Sequence, residues 1–144
     1  MPGPDTWIVA KAEREGMPHV LRIREGAPEF AEQAQFGQLL VVEWKYESQS
    51  AGMPAAEVLQ RMDRFEELLL EQLEGERVAA LVLIVTGGNA RIWHWYIRNP
   101  AETMAAVNRA LAGEEVFPVE FLRQDDPAWE AYLRVLRATP PSGE

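Results

Sequence analysis

His94 carries the most chemical promise in this chain. It stands in Arg91–Ile92–Trp93–His94–Trp95–Tyr96, directly after Thr86–Gly87–Gly88–Asn89. An imidazole with an ordinary pKa of about 6.5 can accept or give a proton near neutral pH. A glycine pair after a strand is one ingredient of a phosphate-cradling loop. An arginine beside aromatic residues can anchor an anion. Arg91 with Trp93, or Arg22 with Arg24, would be the polar anchors of an anionic ligand or acidic peptide.

Each of these features also has a purely architectural reading. The only other histidine, His19, lies far away in sequence, and no His-x-Glu or His-Glu-x-x-His spacing exists. A metal site needs several ligands, so neither a metal nor another cofactor is expected. The glycine pair lacks the lysine and the following helix of a phosphate loop, and a strand follows instead. Gly87, Gly88 and Asn89 then form a hairpin turn, since all tolerate positive φ. Glu66 and Glu67 are adjacent on a helix, so their side chains diverge by about 100°. Asp125 and Asp126 precede a helix and serve as a cap. No nucleophile–base pair can be read, and no catalytic residue is assigned.

These residues must be positioned by strands and helices that the hydrophobic pattern outlines. Residues 7–13 and 19–24 read as a hairpin joined by Glu15–Gly16–Met17–Pro18. Residues 26–37 read as a loop. In a strand at 39–47, Leu40, Val42, Trp44 and Tyr46 share one face. A polar turn follows. A helix at 54 to about 74 opens on Pro54, ends at Gly75 and buries Val58, Met62, Phe65, Leu69 and Leu73. Residues 78–85 are apolar at every position, as in a strand covered on both faces. The strand at 91–98 sets Arg91, Trp93, Trp95 and Ile97 against Ile92, His94 and Tyr96 on the other face.

A short helix starts at Asn99–Pro100, with Met104, Val107 and Leu111 as its stripe. A last strand spans 116–123. Asp125–Asp126–Pro127 opens a final helix, with Pro127 at its first position and Trp129, Tyr132, Leu133 and Leu136 buried. One domain is expected over 1–144, with a core of about 5–137 and a frayed tail at 138–144. The order from 39 to 123 predicts an α+β, ferredoxin-like split βαβ sandwich with an added N-terminal β-hairpin and a C-terminal helix. In that fold the strand at 78–85 is an edge. Its apolar character on both faces predicts that the hairpin, or a second subunit, extends the sheet there.

The 144 residues carry 14 basic and 23 acidic side chains, a net charge of −9. Two segments hold that excess: 54–75, with six acids against two arginines, and 113–130, with six against one. Acidic surface repels phosphate backbones, so direct nucleic-acid binding is not expected. No segment is long and apolar enough for a membrane span, and no signal peptide is read at Met1–Pro2–Gly3–Pro4–Asp5. The absence of cysteine suits a reducing cytoplasm.

Several motifs occur in order: Gly52–Met53–Pro54, Phe65–Glu66–Glu67, Thr86–Gly87 with Arg91, Trp93 and Tyr96, and Asn108 with Leu111. Phe117–Pro118–Val119–Glu120 and Asp126–Pro127–Ala128–Trp129–Glu130–Ala131–Tyr132 follow. The series resembles the bacterial family called domain of unknown function 695. Ile92 stands where members of that family often carry an acid. The layout is also distantly similar to the acidic inhibitor called regulator of ribonuclease E activity B, which binds an enzyme rather than RNA.

The reading that follows is a non-enzymatic binding or regulatory module. An acidic helix face, Glu67, Glu71 and Glu74, would meet a basic protein partner. The alternative is a small-ligand sensor with a pocket between the aromatic sheet face and the last helix. A hydrolase or transferase ranks behind both. Arg91, Trp93, Arg22, Arg24, His94 and Tyr96 are the candidate ligand or partner surface. A homodimer is a further expectation if one sheet face is bare.

Overall fold

A computed structural model describes residues 6–48 and 51–139. Part of the expected polar turn after residue 47 and most of the expected tail lie outside the described residues. The protein is α+β, with one six-stranded antiparallel sheet and three α-helices.

The strands are β1 (Trp7–Arg14), β2 (Met17–Arg24), β3 (Gln38–Lys45), β4 (Ala79–Gly87), β5 (Ala90–Ile97) and β6 (Val119–Asp125). The helices are α1 (Ala56–Leu69), α2 (Pro100–Leu111) and α3 (Glu130–Ala138). The sheet order is β1-β2-β4-β5-β3-β6. The N-terminal hairpin therefore does extend the sheet beside β4: His19 pairs with Gly87 and Ile23 with Leu83. This placement explains why β4 is apolar along its length, for it has a strand on each side and a core on each face.

The sheet divides two cores. One face packs against α1 and α2 through Leu40, Val42, Trp44, Leu81, Ile84, Trp93 and Trp95. The other packs against α3 and the 26–37 loop through Ile8, Ile23, Leu39, Ala80, Val82, Tyr96 and Trp129. Strict alternation in β4 breaks at one point. Leu81 pairs with Trp95 and Leu83 with His94, so Val82 is an extra residue in a β-bulge. The bulge puts His94 opposite a kink in the neighbouring strand.

Several expected boundaries move. Pro54 lies outside α1, whose N-cap is Ala55. The helix does run to Glu74, but its last turn, Leu70–Glu74, is a wider π-helical turn. Gly75 keeps right-handed helical φ, and the chain reverses at Arg77 with φ 60°. Pro127 is likewise outside α3. The helix begins three residues later, after Trp129 in the left-handed region at φ 55°. The stripe of α2 is centred on small residues, Thr103, Ala106, Val107 and Ala110, rather than on Met104 and Leu111. Small residues let this helix sit close to the sheet. Its N-cap is as expected: Asn99 Oδ1 accepts from the Glu102 N–H at 2.9 Å.

The β4–β5 turn is tight because of what touches it. Gly87 has φ 149° and Gly88 φ 60°, and a Cβ on Gly87 would lie 2.6 Å from the Pro18 carbonyl oxygen and 2.8 Å from the His19 ring. The glycine pair thus serves a hairpin turn and a seat for His19.

Candidate functional site

Three arginines face α1 from the sheet. Arg22 and Arg24, two residues apart on β2, lie on the same face as Arg91 of β5. Each meets a carboxylate on or just beyond α1, but not equally. Arg22 holds Glu66 through both nitrogens, at 2.6 and 3.1 Å. The Trp93 indole N–H donates to the same carboxylate at 2.9 Å. Arg24 holds Glu74 at 2.7 and 3.1 Å and donates to the Leu81 carbonyl at 2.9 Å. Glu74 also accepts from the Leu81 N–H at 2.9 Å. The π-helical turn carries this carboxylate, since an extra residue per turn shifts which side chains face the sheet.

Arg91 is held differently. Its Nε donates to Thr86 Oγ1 at 2.8 Å, and Nη1 reaches Asp63 only at 3.5 Å. Asp63 is mostly in solvent while the Arg91 side chain is 8% exposed. Burial, then the nearby Arg22 charge, lowers the Arg91 pKa from its ordinary value. A cavity of about 210 Å³ lies beside it, lined by Val20, Arg22, Met53, Pro54, Leu59, Thr86 and Arg91.

On the opposite face, α3 is held down by a buried polar cluster. The Tyr96 hydroxyl donates to Asp126 Oδ2 at 2.6 Å. Asp126 also accepts from the Glu130 and Ala131 N–H groups, at 2.8 and 3.1 Å, which caps α3. Burial alone would push the Asp126 carboxyl up, but these three hydrogen bonds together hold it below its ordinary value. Burial raises the Tyr96 hydroxyl strongly, with Asp126 adding to the effect. The Tyr132 hydroxyl, pushed up to about 12 mainly by burial, donates to the Arg24 carbonyl oxygen. Tyr96 stacks on Trp129 at 4.6 Å, and the Trp129 indole N–H donates to the Phe36 carbonyl.

The nine residues of α3 cover only part of this face. Beside it lies a second cavity, of about 340 Å³, walled by Leu21, Leu83, Val85, Ile92, Ala131 and Val135. His19 and His94 both line it, with Glu13 and Arg14 at the hairpin end. The two histidines, 75 positions apart, are the only ones in the chain. His94 is half-buried, and its Nδ1 is buried without a hydrogen-bond partner among the described residues. Burial lowers its pKa to about 4, with the Leu83 backbone pulling partly the other way. His19 Nδ1 donates to the Met17 carbonyl at 3.1 Å, which fixes its tautomer while the ring is neutral.

Residues 5–137 match a family of unknown function, DUF695. The chain belongs to this family. No curated protein matches it. The match takes in all six strands, α1, α2 and all of α3 but Ala138, so the residues lining both cavities lie within it.

In this DUF695 chain the residues singled out from sequence fall into separate places. Arg22, Arg24, Arg91 and Trp93 come together under α1. His94 and Tyr96 lie on the other face, His94 in the larger cavity and Tyr96 fully buried beneath α3. Glu67 and Glu71 are exposed, while Glu74 turns inward to Arg24. Glu66 and Glu67 diverge as expected, and Asp126 is the buried cap while Asp125 is exposed. From sequence, Asp63 has no role, and His19 is set aside for its distance from His94 and Glu66 for its divergence from Glu67. Only strand register brings His19 to the Gly87–Gly88 turn, at the edge of the cavity that His94 also lines, and no local spacing encodes that. Among the described residues, no three histidines, cysteines or carboxylates cluster as metal ligands, and no helix is long and apolar enough to cross a membrane.

Proposed function

We propose that this DUF695 chain is a small-molecule-binding module whose ligand occupies the cavity between α3 and the uncovered part of the sheet. The observation that carries this reading is the convergence of both histidines on one mostly apolar cavity. Its volume of about 340 Å³ lies in the range of ligand sites, which combine apolar walls with a few polar groups. A β-bulge sits opposite His94, and bulges are over-represented next to functional sites. At neutral pH an imidazole with a pKa of about 4 is uncharged and a weak base, which suits hydrogen bonding better than proton abstraction. The ligand is a compact, largely apolar molecule with polar groups for His19, at the level of Gly87, and for His94, at the level of Leu83. We further read β3, α1, β4, β5, α2 and β6 as a ferredoxin-like unit, supported by the strand order β4-β5-β3-β6.

Thermal-shift screening with metabolites tests the binding reading, because a ligand for the native state raises Tm by mass action. Val135→Phe, on α3, should fill the cavity and abolish the shift while the protein stays folded. Compounds that stabilise wild type and V135F equally would overturn the assignment.

A second reading keeps the acidic surface as a docking face for a basic protein. The exposure of Glu67 and Glu71 on one side of α1 favours it. It is the weaker reading, because Glu66 and Glu74 are engaged by Arg22 and Arg24.

A further inference from the structure

The smaller cavity, on the α1 side, differs in chemistry from the one beside α3. Of the three arginines facing α1, two have bidentate carboxylate partners. Arg91 has a hydroxyl and one long contact to a mostly solvated carboxylate. A guanidinium offers five N–H donors, and burying its charge is costly unless it is paired and hydrogen-bonded. Its second terminal nitrogen, Nη2, makes no hydrogen bond among the described residues but is not sealed from solvent, and the guanidinium lies over the Trp93 ring at 5.9 Å. Arg22, 34% exposed in its side chain, lines the same cavity and repels Arg91. Two like charges lining one small cavity, one of them incompletely paired, form an arrangement that an anion would stabilise.

The other groups at the site fit this. Thr86 carries a hydroxyl at the Arg91 end. Val20, Met53, Pro54 and Leu59 give an apolar wall. α1 starts just beyond Pro54 with no side-chain cap. Two carboxylates oppose an anion: Glu66, fixed by Arg22 and Trp93, and Asp63. Asp63 is the displaceable one, with its side chain 58% exposed and its contact at 3.5 Å.

We propose that Arg91, Arg22 and Thr86 form a binding site for a small organic anion, a carboxylate with a short apolar body. The carboxylate takes the place of Asp63 on Arg91, and the apolar body lies against Val20, Met53 and Leu59. A volume of about 210 Å³ has room for a short-chain carboxylate. The site lies across the sheet from the histidine cavity and stands independently of any ligand there.

Titrations with acetate, butyrate and inorganic phosphate at constant ionic strength test it, read by calorimetry and by tryptophan fluorescence. Butyrate should bind more tightly than acetate, and phosphate more weakly than butyrate. Asp63→Asn should tighten butyrate binding by about fivefold, since it removes the competing charge. Glu71→Gln, the same charge change on an exposed residue of the same helix, should leave it unchanged. Arg91→Gln should abolish binding; if that variant fails to fold, the Asp63→Asn comparison decides alone. No butyrate binding at millimolar concentration, or equal effects of D63N and E71Q, would overturn the site. Phosphate binding more tightly than butyrate would overturn the carboxylate assignment.

Discussion

The two faces of the sheet are closed by different means. On the α1 side, charged residues sit inside the structure, and two of the three arginines, Arg22 and Arg24, are answered in place. Glu66 serves Arg22 and Trp93, and Glu74 serves Arg24 and the Leu81 backbone. On the α3 side, a short helix is pinned at its start by one carboxylate, Asp126, and leaves a cavity further along. Where bidentate pairs close it, at Arg22 and Arg24, the α1 face resists change, and it stays open only beside Arg91, which has no such partner. A face pinned at one end has room to accept something. The contrast also explains the acidic excess of 54–75. Part of that charge is interior counter-charge for arginines on β2, not only solvated surface.

Glu74→Ala probes this contrast with the largest expected effect. It leaves Arg24, whose side chain is 5% exposed, as a buried guanidinium without its bidentate partner. Removing one member of such a pair costs about 3–5 kcal/mol. Glu71→Ala, one turn of chain away but exposed, should change stability by less than about 0.5 kcal/mol. Urea unfolding of the two variants measures both. Similar midpoints for E74A and E71A would mean that the α1 face does not depend on its ion pairs.

The α3 face should instead be the pH-sensitive one. His94 has its pKa lowered from 6.5 to about 4 by burial. The unfolded chain therefore binds a proton there that the folded chain refuses. Stability is fully present above about pH 6.5 and falls as pH drops toward 4, by up to about 3 kcal/mol. Asp126 acts lower. Its folded pKa lies below the ordinary carboxylate value, so its contribution is lost only as pH falls through that lower value. His94→Gln should flatten the stability curve between pH 6.5 and 4 relative to wild type. An unchanged slope would show that His94 is not the group responsible.

Much of the frame was legible because it rests on local pattern. The alternation in β3 and β5, the continuous apolar run of β4, the Asn99 cap and the Met62–Phe65–Leu69–Leu73 stripe each signal themselves within a few residues. What stayed hidden depended on register and on departures from regular geometry. No local feature of the sequence announces the bulge at Val82 or the π-helical turn at Leu70–Glu74. The bulge sets Leu83 against His94, and the wider turn carries Glu74 to Arg24. His19 was set aside for its distance in sequence, yet antiparallel pairing of β2 with β4 brings it to the Gly87–Gly88 turn. Pro54 and Pro127 misled in one way: proline suits a first helical position, but it suits the loop before the helix equally well.

Asp126→Asn asks how independent α3 is, and its effect is the smallest of these. Asparagine keeps a carbonyl oxygen for one of the backbone N–H groups of Glu130 and Ala131. It loses the charge that strengthens all three hydrogen bonds, at a cost of about 1–2 kcal/mol. If the two faces are separable, that loss should be local. Amide hydrogen exchange should then speed up across 130–138, with little change in α1 or in β4 and β5, which lie in the better-protected part of the fold. Exchange that rises equally everywhere would mean that Tyr96, stacked on Trp129 and bonded to Asp126, couples α3 to the whole sheet. The α3 face would then be as rigid as its counterpart, and the cavity beside it a fixed gap rather than the soft side of the molecule.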